Sequence, residues 1–159
     1  MYKKILVALE NARTDSALLP HISELARIVD AELILVHVAD GWAARNFNQL
    51  RLAESEEIRA DRAYLDETAS TLRAKGLRAS VKLVMGNPPQ EILRAATDES
   101  CDLIAMTSHG HKLLGDLFFG STIDKVRHNT TTPILVVSAR GVAGDDRRSA
   151  TATDEPASG

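Results

Sequence analysis

Five short runs of apolar, largely β-branched residues punctuate the chain: Ile5 to Leu9, Glu32 to Val38, Val81 to Met85, Asp102 to Thr107 and Pro133 to Ser138. Between them lie segments whose apolar residues recur at steps of three and four. Strands with no polar alternation suit burial on both faces, and strand and helix in turn imply parallel strands joined by right-handed crossovers. The expected fold is α/β, a five-stranded parallel sheet with helices on both faces, in one domain over residues 1–140. Ligands in such folds bind beyond the carboxyl ends of the strands. The first and fourth strands end at Glu10-Asn11 and at Thr107 to Gly110, so the two ends share one crevice if these strands are neighbours where the winding reverses.

The helical segments carry their own boundaries. Leu18, Ile22, Leu25, Ala26 and Val29 form one stripe, which places Pro20 in the opening turns, where a missing donor costs least. Ile58, Leu65, Ala69 and Leu72 form a second stripe, stopping at Lys75-Gly76-Leu77, a sequence suited to a left-handed glycine followed by an apolar contact. Asn87-Pro88-Pro89-Gln90 offers an N-cap, a proline at the first helical position and a capping-box glutamine ahead of Ile92, Ala95 and Ala96. A fourth helix is expected from Ser121 or Thr122, with Ile123 and Val126 inward and Lys125, Arg127 and His128 at its cation-favouring end.

Composition excludes several classes of function. A chain of 159 residues, 44% hydrophobic and 26% charged, buries enough surface to fold without staples. Its 4% aromatic content and net charge of −3 argue against nucleic acid as a partner. No segment approaches the ~20 apolar residues that span a bilayer, and the amino terminus has no cleavage-site pattern. The single cysteine, Cys101, directly precedes a strand and reads as a packed thiol of a reducing, cytoplasmic compartment. Residues 141–159, rich in small and charged residues, have almost nothing to bury and are expected to form a disordered tail.

The fourth strand feeds the most chemically suggestive stretch. Met106-Thr107-Ser108-His109-Gly110 is followed after nine residues by Gly120-Ser121-Thr122. Glycines there let a backbone approach a ligand closely, and an expected helix start at Ser121 would present unpaired amides to an anion. Ser121 and Thr122 also suit a plain capping role. His109 and His111 lack a third ligand nearby, so no metal site is expected, and any divalent ion would be Mg²⁺ carried in by a phosphate-bearing ligand. His37, inside a strand, reads as a hydrogen-bonded structural residue. Trp42 and Phe47 could cover a ligand, meet a partner or cap the core; the apolar connection with Leu113, Leu114, Leu117, Phe118 and Phe119 is expected to fold onto the core or a partner.

These residues resemble the universal stress protein family from about Lys3 to Ser138. Lys4 to Leu9 looks like the family's first strand, Ala31 to Val38 its second, Gly86 with Pro89 to Ile92 its third-helix start, and Thr132 to Val137 its closing strand. Nucleotide-binding members carry Gly, two residues, Gly, nine residues, then Gly-Ser or Gly-Thr. Gly110 and Gly120-Ser121 fit that pattern, whereas Thr107 stands at the first glycine and either clashes with a ligand or offers it a hydroxyl. Glu10 stands where the family often has Asp, followed by Asn11 and Ala12 in place of Gly and Ser.

The resemblance implies a Rossmann-type three-layer sandwich of the adenine nucleotide alpha hydrolase-like kind, holding ATP or a related adenine nucleotide. The implied site comprises Leu9 and Glu10 at the end of the first strand, Val38 and Met106 near the base, Thr107 where the backbone nears the ribose and phosphates, His109 beside a phosphate, and Gly110, Gly120, Ser121 and Thr122 around the phosphates. It also implies a homodimer paired through the fifth strand and a stress-linked signalling or protective role, with an unidentified protein partner open. No Walker lysine or obvious base accompanies Gly120, so no enzyme is expected. The competing expectation is a dimeric interaction module of the same fold that binds no nucleotide.

Overall fold

The computed structural model describes residues 1–39, 56–108 and 117–139, with residues 117–121 described by their backbone alone. The strands are β1 (Lys4–Leu9), β2 (Glu32–Ala39), β3 (Arg78–Met85), β4 (Leu103–Ser108) and β5 (Ile134–Ser138). They form one five-stranded sheet in the order β3-β2-β1-β4-β5, and every pairing is parallel. The chain winds outward from β1 in both directions, so β1 and β4 are the neighbours at the reversal. Trp42 and Phe47, His109 to Leu114, and the tail from 141 lie outside the described residues.

The helices among the described residues are α1 (Asp15–Val29), α2 (Glu56–Ala74), α3 (Pro88–Asp98) and α4 (Leu117–His128). Side-chain alternation along the strands sorts the core into two layers. Ile5, Val7, Leu33, Leu35, Leu103 and Ala105 pack with Leu18 and Ile22 of α1 and Leu65 and Ala69 of α2. Leu6, Ala8, Ile34, Val36, Ile104 and Met106 pack with Ile92 and Ala95 of α3 and Val126 of α4. Cys101 is buried as expected, and burial pushes its thiol up to about 11.

Local signals mostly hold. Gly76 has φ +81, and the amides of Leu77 and Gly76 donate to the carbonyls of Leu72 and Arg73, the paired bonds of a Schellman end. Pro20 is the sixth residue of α1, within its opening two turns but past the four donors that a helix start leaves unpaired, so its missing donor does cost the helix a bond. Asn87 precedes two prolines at the start of α3, but its side chain makes no capping bond. The largest departure is α4, which begins at Leu117 rather than at Ser121 or Thr122. A glycine inside a helix costs only about 1 kcal/mol, so Gly120 does not stop a helix that has already started.

Candidate functional site

The carboxyl ends of β1, β2 and β4 frame a cavity of about 130 Å³ on the α3 side of the sheet. Ala8, Leu9 and Glu10 line it from β1 and the turn that follows, Val36, His37 and Val38 from β2, and Met106 and Thr107 from β4. Pro88 and Ile92 of α3 and Thr122 of α4 close it. Of the residues expected from the sequence, Leu9, Glu10, Val38, Met106, Thr107 and Thr122 are thus brought together. His109 and Gly110 lie outside the described residues. Gly120 and Ser121 lie within the helical backbone of α4. Ser121 is thus the fifth residue of the helix, past the four donors that a helix start leaves unpaired, and Gly120 is the fourth.

Thr107 does not fill the cavity with its side chain. It pairs in register with Val137, which packs with the α1 and α2 layer, and it follows Leu103 and Ala105 on that same face. Alternation sends its side chain away from Met106 and the α3 side. Thr107 is 2% exposed, and among the described residues its Oγ1 is buried with no hydrogen-bond partner. The departure from glycine thus leaves the cavity open.

The turn from β1 to α1 closes on itself. Asp15, in the first turn of α1 and 1% exposed, accepts hydrogen bonds from the Glu10 amide at 3.1 Å on both oxygens and from the Tyr64 hydroxyl at 2.7 Å. The Ala12 amide is 3.4 Å from Oδ2. Burial raises the Asp15 carboxyl above its ordinary value, against the lowering effect of these bonds. The amides of Asp15, Ser16 and Ala17 donate to the carbonyls of Ala12, Arg13 and Thr14. An internal carboxylate therefore occupies the amide nest where an anionic ligand could otherwise sit.

A second hollow continues past Glu10, His37 and Val38 and is lined by Asn11, Glu57 and Asp61. The His37 ring lies between two acceptors, with Nδ1 2.8 Å from the Leu9 carbonyl and Nε2 3.2 Å from Asp61 Oδ2. A carbonyl only accepts, so Nδ1 carries a proton. Asp61 Oδ1 accepts from Asn11 Nδ2 at 2.9 Å, and Thr14 Oγ1 donates to Glu10 Oε2 at 3.0 Å. His37 is hydrogen-bonded as the sequence suggests, and it is also a wall of the cavity. Sequence reasoning does not reach Asp61 in this hollow, nor the Asp15–Tyr64 pair at the turn after β1. The available signal was the position of Asp61 on the stripe of Ile58, Leu65, Ala69 and Leu72.

The cleft therefore has an apolar slot, a carboxylate-rich flank beside β2 and α2, and α4 on the opposite flank. The profile of the universal stress protein family matches residues 1–138, and the chain belongs to that family. Universal stress protein MJ0577 of Methanocaldococcus jannaschii is 29% identical over 160 residues, which cover 88% of this chain and 97% of that protein. The solved MJ0577 structure superposes with a TM-score of 0.72, covering 87% and 96% of the two chains. A universal stress protein from Archaeoglobus fulgidus, solved in complex with dAMP, shares the fold at 20% identity and a TM-score of 0.64, covering 86% and 98%. Another, solved in complex with cAMP, does so at 17% and 0.63, covering 87% and 98%. The sheet and flanking helices are those of the Rossmann-like adenine nucleotide alpha hydrolase fold.

Proposed function

We propose that this chain binds ATP or a related adenine nucleotide in the cleft at the ends of β1, β2 and β4, as a non-enzymatic stress-response protein. The observation that carries the reading is the apolar slot between Val38, Ile92 and Met106, located at the topological switch point where open α/β sheets hold their ligands. A flat base suits such a slot, and the oxygen-rich rim of Glu10 favours amino donors on its edge. Glu57, Asp61 and Glu10 on the β2 flank would repel phosphates. With the β1 turn already occupied by Asp15, the phosphates are assigned to the β4 and α4 flank, near Thr122. Mg²⁺ would arrive on those phosphates. Two proteins of this fold hold dAMP and cAMP, which supports an adenine ligand.

The edge position of β5, with Val136 42% exposed, supports pairing of two copies along that strand. No helix among the described residues is long and apolar enough to cross a membrane, in keeping with a cytoplasmic role. A cavity of about 130 Å³ is below the ~300–1,000 Å³ of ordinary ligand pockets, which favours as second reading a dimeric interaction module without nucleotide. Mass spectrometry of the protein purified without added nucleotide, followed by equilibrium dialysis against ATP, separates the two. A copurified adenine nucleotide, or saturable uptake, supports binding; neither, up to millimolar ATP, defeats it.

A further inference from the structure

We propose that Asp61 of α2 is a positioning residue for the cleft, setting the orientation of the His37 ring and the separation of the β1 and β2 ends. This rests on the nucleotide reading of the cleft. Asp61 occupies a place on the buried stripe of α2 between Ile58 and Leu65 and is 5% exposed. A helix held by packing alone would have an apolar residue there, since a buried carboxylate loses its hydration and recovers it only through well-placed partners. Asp61 has a partner on each oxygen. Asn11, from the turn after β1, donates to Oδ1, and the His37 ring, from β2, meets Oδ2.

Each partner is a residue whose placement shapes the cleft. Asn11 has φ +54, a left-handed residue in the turn that also holds Glu10, and the hydrogen bond that its side-chain amide donates to Asp61 ties that turn to α2. His37 is a wall of the apolar slot. Its ring is fixed by two acceptors at opposite nitrogens, the Leu9 carbonyl and Asp61, so it cannot rotate without losing one of them. Removing Asp61 frees the ring to turn about its bond to Leu9 and releases Asn11, so the slot loses one rigid side while the sheet beneath it keeps its packing.

Three variants decide the matter. Asp61→Leu restores an apolar stripe but leaves the Asn11 amide and His37 Nε2 without their partner, so it is expected to fold less stably than the natural chain and to bind ATP on the order of tenfold more weakly by calorimetry. Asp61→Asn can still accept from Asn11 and donate to an unprotonated Nε2, and is expected to stay within about threefold of the natural affinity. Unchanged affinity in Asp61→Leu overturns the proposal, and so does equal loss in both variants, because charge rather than orientation would then be responsible. If Asp61→Leu does not fold, Asn11→Gly keeps the left-handed backbone without the amide, and undiminished affinity there overturns it equally. If the natural chain takes up no ATP, the nucleotide reading falls by itself. The positioning role is then read from ¹⁵N spectra of the His37 ring: altered ring-nitrogen signals in Asp61→Leu support it, and identical ones refute it.

Discussion

Tyr64 of α2 donates its hydroxyl to Asp15 of α1 at 2.7 Å, and the pair joins two helices across the carboxyl end of the sheet. The contact raises Tyr64 and lowers Asp15, and at Asp15 burial outweighs it, so both groups lie above their ordinary values. Burial and the neighbouring Asp15 carboxylate push the Tyr64 hydroxyl well above its ordinary range, so it stays a donor. Removing the hydroxyl leaves a buried carboxylate short of one bond. Tyr64→Phe is expected to lower stability by about 1–3 kcal/mol, seen as a lower urea midpoint with an unchanged slope.

Asp15 gives the fold a measurable pH signature. Its carboxyl is raised in the folded chain above the ordinary 3.8, chiefly by burial. The folded state therefore binds the proton more tightly than the unfolded state. This contribution to stability is complete below 3.8 and is lost as pH rises through the raised folded value. In Asp15→Asn the titration is gone, while the shape and the acceptor for the Glu10 amide remain. The stability of the natural chain minus that of Asp15→Asn should fall from pH 3 toward pH 7 in paired urea melts. A difference that is flat, or that rises with pH, would contradict the burial-dominated shift.

Thr107 separates folding from binding. Its hydroxyl is buried without a partner among the described residues, on the face of the sheet opposite the cavity. Replacing a lone buried hydroxyl by a methyl removes a desolvation cost. Thr107→Val is expected to be neutral or to gain about 1 kcal/mol in thermal melts, with ATP affinity unchanged. A loss of affinity would mean that the hydroxyl reaches the ligand.

Much of this architecture is legible in the sequence because its signals are local. Apolar runs such as Ile5 to Leu9 and the stripe from Leu18 to Ala26 report burial through their own periodicity, and Gly76 reports the end of α2. The polar side of the cleft is less legible. Asp61 sits among Glu56, Glu57, Asp66 and Glu67 on one helix, and only its place between Ile58 and Leu65 on the apolar stripe sets it apart from them, without showing what it pairs with. Its Asn11 partner is 50 residues away. Asp15 is hidden in the same way, because Tyr64 lies 49 residues on. The start of α4 misleads for the opposite reason. Gly120-Ser121-Thr122 has the composition of a helix start, yet the backbone is already helical from Leu117.

Gly76 isolates the effect of backbone conformation. At φ +81, with nothing within 4 Å of where a Cβ would stand, an alanine meets no neighbour and suffers only the left-handed penalty. Gly76→Ala is expected to lose about 1–2 kcal/mol, by denaturant unfolding, with no change in ligand affinity. A larger loss would show that the Schellman end of α2 cannot absorb the strain.

Ala8 offers the most direct test of where the ligand sits. It faces the α3 layer, lines the cavity and is 9% exposed, so a larger apolar side chain grows into space that is already there. Filling such space adds contacts that the natural chain lacks, and Ala8→Leu should melt at the natural temperature or slightly above. The same atoms occupy the slot assigned to the base, between Val38, Ile92 and Met106. ATP affinity measured by calorimetry should drop by at least about tenfold, the effect of losing some 1.4 kcal/mol of binding. A variant that keeps its fold and still binds ATP at the natural strength would place the nucleotide outside this cavity.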